Sequence, residues 1–170
     1  MEPLTAPDQS DPVGLASATG PQWLVGIGSS AGGVEALREL LPGLPGGDVA
    51  YVIAQHMSPV HPSLLLEVLS RESELELSEI TDGLPLRAGT IFVSRPNCDV
   101  EVSSGRFRTR QASPRISPQP SIDVLLRSLA REGGDHAIAV ILSGAGADGT
   151  AGAEAIRIAG GRSVAQDLSS

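Results

Sequence analysis

Short apolar runs alternate along the chain with segments of helical character. The runs at 49–54 and 137–142 are apolar at nearly every position, and a shorter run of the same kind lies at 23–27. Near-continuous apolar runs of this length are typical of parallel strands that are buried on both faces. Because a turn and then a helical segment follow each run, the pattern predicts strands that alternate with helices.

The clearest helical segment opens at Ser121, where Ile122, Leu125, Leu126 and Leu129 recur at the spacing of one helix face. This spacing predicts an amphipathic helix that ends at the glycine pair following it. Further helices are predicted at about 33–41, 63–72 and 150–159, and further strands at 77–80, at 90–93 and from 162 onward.

The segment around 91–109 differs from the rest, because two strand-like runs flank Ser104-Gly105 and predict an antiparallel hairpin. Elsewhere the alternation predicts an α/β fold, with a doubly wound, mainly parallel sheet and helices on both faces. Residues 1–22 are rich in Pro, Ser, Ala, Gly and Asp and lack an apolar period. We therefore expect a flexible leader at 1–22 and a single domain over 23–170.

Composition and charge narrow the class of protein. Of the 170 residues 41% are hydrophobic but only 2% are aromatic, which predicts one domain with an aliphatic core. The net charge of −8 argues against a nucleic-acid partner. The single cysteine, Cys98, excludes an internal disulfide. No apolar run approaches the ~20 residues of a membrane span, and no secretory signal opens the chain. A soluble, cytoplasmic protein without membrane insertion is predicted.

The turn after the first predicted strand carries a possible nucleophile. Residues 28–32, Gly-Ser-Ser-Ala-Gly, match the G-x-S-x-G elbow, in which a serine is held on a sharp strand-to-helix turn. The glycines allow the tight turn and leave room for a group to approach the hydroxyl. The N-terminus of the following helix offers unpaired N–H groups to a developing oxyanion. Ser30 is therefore the candidate nucleophile.

Two further polar residues follow buried strands at the same edge of the predicted sheet. His56 comes after the strand at 49–54, and Asp148 comes after the strand at 137–142. Because ligands of open parallel sheets bind outside the carboxyl ends of the strands, Ser30, His56 and Asp148 form a candidate hydrolytic triad. In it, His56 is the general base and Asp148 orients the imidazole. Activity is then expected to fall on the acid side as the imidazole becomes protonated.

Other histidines and acids compete poorly for these positions. His61 lies in a loop beyond the proposed site, and His136 precedes its strand and so lies at the opposite edge. Asp82 and Asp123 have no comparable placement in the predicted order of elements.

Each candidate residue also has an ordinary interpretation. The serines at 29 and 30 can be small turn residues, His56 a strand-end histidine, and Asp148 a helix N-cap. Residues 26–31 also fit a dinucleotide fingerprint, but that motif needs an acid at the end of the second strand, and Asp48 precedes this strand. No Gly-Lys-Ser/Thr follows, which excludes a P-loop, and one cysteine with scattered histidines disfavours zinc.

Three linked motifs resemble a known family. Residues 25–37 (VGIGSSAGGVEAL), 53–59 (IAQHMSP) and 141–149 (ILSGAGADG) are similar to the catalytic domain of CheB-type chemotaxis methylesterases. The Pro120–Asp123 segment and the late glycine pair with 165–167 are similar too, so that the resemblance covers about 24–167. The α/β-hydrolases share only the elbow, because their triad has the order Ser, Asp, His.

The resemblance implies an activity and residue roles. It implies hydrolysis of glutamate γ-methyl esters on the cytoplasmic helices of methylated chemoreceptors, and deamidation of receptor glutamines. By motif position Ser30 corresponds to the nucleophile, His56 to the base and Asp148 to the orienting acid. A backbone N–H at Ala145 corresponds to an oxyanion donor. The resemblance implies no metal and no cofactor.

The chain departs from the family pattern at several points. Ala31 stands where the family often has Thr, and Ala145 stands where it often has Met. Typical family members carry an N-terminal phospho-receiver domain, and this sequence shows none. In this respect it resembles members in which the methylesterase domain is fused ahead of a receptor methyltransferase. A fused or associated methyltransferase is therefore an expected partner. The family domain continues past the segment that matches 165–167, which predicts a domain truncated at its C-terminus. A catalytically silent regulatory or interaction domain on the same scaffold is the alternative.

Overall fold

The structure is a computed structural model that describes residues 20–30, 32–56, 64–111, 119–142 and 146–167. Within these residues the strands and α-helices follow one another in the order β1 (Trp23–Ser29), α1 (Gly33–Leu40), β2 (Val49–Gln55), α2 (Leu65–Leu69), β3 (Glu76–Glu79), β4 (Thr90–Val93), β5 (Cys98–Ser103), β6 (Arg106–Gln111), α3 (Ile122–Gly133), β7 (Ala137–Ile141), α4 (Thr150–Ile158) and β8 (Arg162–Ala165). Short 3₁₀ turns lie at Leu41–Gly43 and Gly134–His136. Strands and helices alternate as the apolar pattern predicts.

One parallel sheet organises the domain. Its strand order is β3-β4-β2-β1-β7-β8, and each neighbouring pair runs parallel. After β1, the chain adds β2, β3 and β4 on one side of this strand, and later adds β7 and β8 on its other side. β1 and β7 therefore flank a topological switch point, where α/β proteins bind their ligands. β5 and β6 pair separately as an antiparallel hairpin. The predicted fold class is confirmed.

Helices cover both faces of the sheet because alternate strand residues point to opposite sides. On one face α1 and α2 pack on a cluster that includes Ile27 and Ile53. On the other, α3, α4 and the hairpin pack on a cluster that includes Val52 and Phe92. Apart from its few aromatic residues, the core is aliphatic, as the composition predicts.

A glycine of β1 lets α3 approach the carboxyl edge of the sheet. A Cβ atom on Gly28 would lie 2.4 Å from Cγ2 of Ile122, the first residue of α3. Gly28 is also the first glycine of the G-x-S-x-G match. Its lack of a side chain therefore places the N-terminus of α3 beside the turn that carries Ser30.

The helix predicted at 63–72 is shorter in the structure. It spans Leu65–Leu69, and its N-cap is Leu64, which makes no side-chain capping hydrogen bond. Ser63, the expected N-cap, lies outside the described residues. Most of the predicted leader, 1–19, also lies outside them, so its flexibility remains a prediction, as do the predicted domain bounds. None of the helices among the described residues is long and apolar enough to cross a membrane.

Candidate active site

Ser30 lies in the turn that connects β1 to α1. Ser29, the last residue of β1, is buried, whereas Ser30 is partly exposed. The carbonyl oxygen of Ser30 accepts the N–H of Gly33 at 2.9 Å, which closes the turn onto the first residue of α1. Gly32 has φ 80°, a left-handed conformation that glycine adopts without strain. The turn thus presents the Ser30 hydroxyl at the carboxyl edge of the sheet.

His56 extends β2 beside this turn. Its backbone N–H donates to the carbonyl oxygen of Ser29 at 2.9 Å, so the residue is held in register with β1. Nδ1 of its ring lies 3.0 Å from Oγ of Ser30, and Nε2 lies 2.9 Å from Oδ2 of Asp148. Because a carboxylate only accepts hydrogen bonds, Nε2 of the neutral ring carries the proton and Nδ1 accepts from the serine hydroxyl.

Asp148 precedes α4 but caps α3. Its Oδ2 accepts the N–H of Ile122 at 2.8 Å, and its Oδ1 accepts the N–H of Asp123 at 2.9 Å. Oδ1 also accepts from Oγ of Ser121 at 3.3 Å. The N-cap of α4 itself is Gly149, without a side-chain cap. Asp148 thus caps a helix, as its ordinary interpretation has it, but the helix is α3 and the same carboxylate also contacts His56.

Opposing effects act on the pKa of Asp148. Its side chain is 10% exposed, and burial raises the pKa of a carboxyl. Hydrogen bonds from the His56 ring and from the N–H groups of Asp123 and Ile122 stabilise the carboxylate, and they lower the pKa below its usual value. These N–H groups open α3, whose N-terminal dipole favours an anion. Asp148 is therefore ionised at neutral pH and can hold the imidazole.

Asp123 does not follow a buried strand as the predicted site residues do, but from α3 its N–H donates to Asp148. Its Oδ1 accepts the N–H groups of Gly149 at 3.0 Å and of Gly152 at 2.7 Å. The two helices thus exchange caps: Asp148 caps α3, and Asp123 caps α4. The exchange depends on the tertiary packing of α3 against α4, which spacing in the sequence did not reveal.

Gln55 connects the serine turn to the histidine, and sequence reasoning missed it. Its side chain accepts a hydrogen bond from Oγ of Ser29. Its Nε2 donates to the carbonyl oxygen of Ser30 at 2.8 Å and to that of His56 at 3.1 Å. Ser29 and Gln55 are partners in the β1–β2 register and are both buried. The sequence signal that could have indicated this contact is that Ser29 and Gln55 are polar residues at the ends of two apolar strands.

A Cβ atom on Gly33 would lie 2.6 Å from Cβ of Ser29 and 2.8 Å from Oε1 of Gln55. The space beside this hydrogen-bonded pair is therefore filled, and only glycine fits at the start of α1.

We expect Gln55→Leu to lower kcat by up to about 10²-fold with little change in KM. Loss of the three hydrogen bonds frees the Ser30 turn relative to His56, and small misplacements of reacting groups cost that much. Gln111→Leu, an exposed glutamine at the end of β6, is the matched control. Steady-state hydrolysis of a small ester measures both variants. Equal kcat values for Gln55→Leu and Gln111→Leu would contradict a positioning role.

The remaining candidates lie elsewhere or cannot be placed. The ring of His136 packs against that of Trp23 at an angle of 54°, with ring centroids 4.8 Å apart, at the amino edge of the sheet. Asp82 accepts the N–H of Thr109 at 2.9 Å and so fastens the hairpin. Ala145, the predicted oxyanion donor, lies outside the described residues, as does His61. Among the described residues, no group of three or more His, Cys, Asp or Glu side chains could hold a metal ion.

The backbone around Asp48 bears on the dinucleotide interpretation. Its carbonyl oxygen accepts the N–H groups of Gln22 and Trp23, at 2.9 and 3.0 Å, at the amino edge of the sheet. The acid that a dinucleotide site needs is therefore at the wrong edge, which counts against that interpretation. A serine, a histidine and an aspartate joined by hydrogen bonds at the carboxyl edge of an α/β sheet instead form the arrangement found in serine hydrolases.

Comparisons with known proteins narrow this class to one family. Residues 25–170 match the family model described as CheB methylesterase. The crystal structure of the Thermotoga maritima CheB methylesterase catalytic domain superposes with a TM-score of 0.78 and 31% identity, over 88% of this chain and 81% of that one. The chain belongs to the CheB methylesterase family.

Curated relatives carry one activity name. A protein-glutamate methylesterase/protein-glutamine glutaminase of Anaeromyxobacter dehalogenans is 37% identical over 99% of this chain and 48% of its own length. Another, of Pseudomonas aeruginosa, is 38% identical over 85% of this chain and 42% of its own length. The chain thus spans about half the length of the curated relatives it matches.

Proposed function

We propose that this protein is a serine hydrolase that removes methyl groups from glutamyl γ-methyl esters in proteins and that deamidates glutamine side chains. The observation that carries the proposal is the continuous hydrogen bonding from Ser30 through His56 to Asp148, at 3.0 and 2.9 Å. Family membership and the activity named for the relatives support the substrate class.

The geometry suits acyl transfer in two steps. Oγ of Ser30 attacks the γ-carbonyl carbon of the ester while Nδ1 of His56 takes the hydroxyl proton. The tetrahedral intermediate collapses, the C–O bond to the methoxy group breaks, and the imidazolium returns its proton, so that methanol leaves. A water molecule then attacks the γ-glutamyl ester of Ser30, His56 again takes and returns a proton, and a free glutamate carboxylate is released. With glutamine, ammonia leaves instead of methanol.

Other groups complete the proposed mechanism. Asp148, kept ionised by its hydrogen bonds, fixes the tautomer of His56 and stabilises the imidazolium. A backbone N–H at Ala145 is proposed as an oxyanion donor on the basis of motif position. One such donor contributes about 3–4 kcal/mol of transition-state stabilisation in known hydrolases.

As substrates we propose methylated chemoreceptor segments in the cytoplasm, and as a further partner a fused or associated receptor methyltransferase. Membership of a family of chemotaxis enzymes supports the first of these. The second rests only on the resemblance of the sequence motifs.

Methanol release from a methylated receptor fragment tests the activity. The wild-type chain is expected to release methanol in proportion to the free carboxylate formed. A chain that binds the fragment without releasing methanol would favour the catalytically silent alternative.

The pH profile offers a separate test. The base must be neutral to take the proton, and histidine is the side chain that changes charge between pH 5 and 8. The pKa of Asp148 is lowered, so this carboxylate stays ionised through that range. We therefore expect log(kcat/KM) for a small ester to fall with a slope of one as the pH decreases. A flat profile down to pH 5 would count against His56, and a slope of two would mean that a second group titrates.

A further inference from the structure

The exposed arginines differ in whether they have acidic partners. Five of them lie within 4 Å of a glutamate: Arg38 pairs with Glu72, Arg71 with Glu67, Arg87 with Glu76, Arg95 with Glu79 and Arg131 with Glu101. Arg108 and Arg110 on β6 are also exposed, but neither forms an ion pair with any residue that the structure describes. Within the described residues, both charges lack an ion-pair partner within 4 Å.

Strand geometry puts both guanidinium groups on one face. Phe107 is fully buried between exposed neighbours, so the alternate residues Arg108 and Arg110 project away from the core. Their Cα atoms are separated by two residues, which is about 7 Å along a strand. Arg106 shares this face, but its guanidinium donates to the carbonyl oxygen of Gly83 at 2.9 Å.

The acids of the neighbouring strand are engaged elsewhere. Asp99 is the register partner of Arg110, and Glu101 that of Arg108. Oδ1 of Asp99 accepts the N–H of Ser121 at 2.9 Å, and Oε2 of Glu101 lies 3.7 Å from Nη2 of Arg131. The hairpin therefore presents two arginines whose acidic register partners already have other hydrogen-bonding or ionic contacts.

This face adjoins the candidate active site. Asp99, opposite Arg110, is hydrogen bonded to Ser121, whose hydroxyl donates to Asp148 at 3.3 Å. A hollow of about 140 Å³ between the hairpin and α3 is lined by Asp99, Glu101, Arg108, Thr109, Arg110 and Val124. Val124 belongs to the first turn of α3, the helix that Asp148 caps.

We propose that Arg108 and Arg110, here termed the arginine surface, dock carboxylates that flank the scissile glutamyl group on the substrate polypeptide. The proposal rests on the proposed function, because each turnover converts a neutral ester or amide into a carboxylate and so leaves a more anionic substrate. A chain with a net charge of −8 repels such a substrate unless it offers local positive charge. Arginine suits this role because its planar guanidinium binds carboxylates in a bidentate manner.

Two synthetic helical peptides test the arginine surface. Each carries one glutamyl γ-methyl ester, flanked one turn away on both sides by glutamates in one peptide and by alanines in the other. Methanol release gives kcat/KM for both, and their ratio is the selectivity for flanking acids. The variants are Arg108→Glu/Arg110→Glu and, as a control with the same change in net charge, Arg157→Glu/Arg162→Glu. Arg157 and Arg162 are exposed on α4 and β8.

The wild type is expected to prefer the glutamate-flanked peptide, and this preference is expected to weaken between 50 and 300 mM salt, because exposed charges are screened over ~10 Å at 0.1 M. The ratio is expected to fall about tenfold or more in Arg108→Glu/Arg110→Glu and to stay at the wild-type value in the control. An unchanged ratio, or an equal fall in both variants, would contradict the docking role of the arginine surface but not the proposed function. Absence of methanol from both peptides with the wild type would overturn the proposed function, and the docking proposal with it.

Discussion

Replacement of Ser30 by alanine is expected to abolish methanol release almost completely, with a loss in kcat on the order of 10⁴- to 10⁶-fold. The hydroxyl is the only group of the site that the proposed mechanism joins covalently to the substrate. Its Oγ lies 3.0 Å from the nitrogen that is to take its proton. Substrate binding is expected to persist, because the backbone of the turn is held by Gly33 and Gln55 rather than by the hydroxyl.

Ser29→Ala is the matched control for this experiment. Ser29 is buried and donates to Gln55, so its loss leaves a buried acceptor without its donor, at a cost of about 1–3 kcal/mol in stability. Its hydroxyl does not contact His56. We expect Ser29→Ala to keep most of the activity that Ser30→Ala loses, as measured by methanol release and by acyl-enzyme formation with a slow ester. Full activity in Ser30→Ala would exclude Ser30 as the nucleophile.

Asp148→Asn is expected to lower kcat by about 10⁴-fold and also to destabilise the fold. The amide cannot orient the His56 ring in the required tautomer as the carboxylate does, and in known triads this change costs a factor of that size. The N–H groups of Ile122 and Asp123 donate to different oxygens of the carboxylate, and the NH2 of the amide replaces one of these acceptors. One N–H of α3 then has no acceptor in this side chain, which is expected to cost about 1 kcal/mol.

Asp123→Ala separates the two effects. It removes the cap on α4, where Oδ1 accepts from Gly149 and Gly152, but it leaves the partner of His56 in place. We expect a similar loss of stability in thermal unfolding with a much smaller loss of kcat. Equal losses of kcat in the two variants would mean that Asp148 acts through helix packing and not through the imidazole.

The stability difference between wild type and Asp148→Asn is expected to depend on pH. Since folding lowers the pKa of Asp148, its ionised form stabilises the native state at a pH above the ordinary carboxyl value of ~3.9. That contribution is lost as the pH falls through the lower pKa of the folded protein. The difference in Tm should therefore be constant near neutral pH and shrink below about pH 4. A difference in Tm that grows on acidification would contradict the direction of the pKa shift.

Much of the fold follows from local pattern. The apolar runs at 49–54 and 137–142 correspond to β2 and β7, and the helix predicted to open at Ser121 is α3. Serine at this position accepts the N–H of Val124, as an N-cap does. The boundaries of α2 were less predictable, because a short helix depends on its packing more than on its own propensity.

The sequence by itself determined the alternation of strands and helices, the aliphatic core, and the placement of Ser30, His56 and Asp148 each after a buried strand. These features are encoded in periodicity and in residue type, which act over a few residues. Their distance in space depends on strand order, and only the structure shows that β2 and β7 both flank β1.

The tertiary structure alone decided how the site is supported. The exchange of caps between α3 and α4, and the bridge from Ser29 through Gln55 to Ser30, join residues about 25 or more positions apart. The physical reason is that a backbone N–H at the start of a helix donates to any carboxylate nearby, and that carboxylate then acts as the cap. Which carboxylate comes near is fixed by how the helices pack on the sheet.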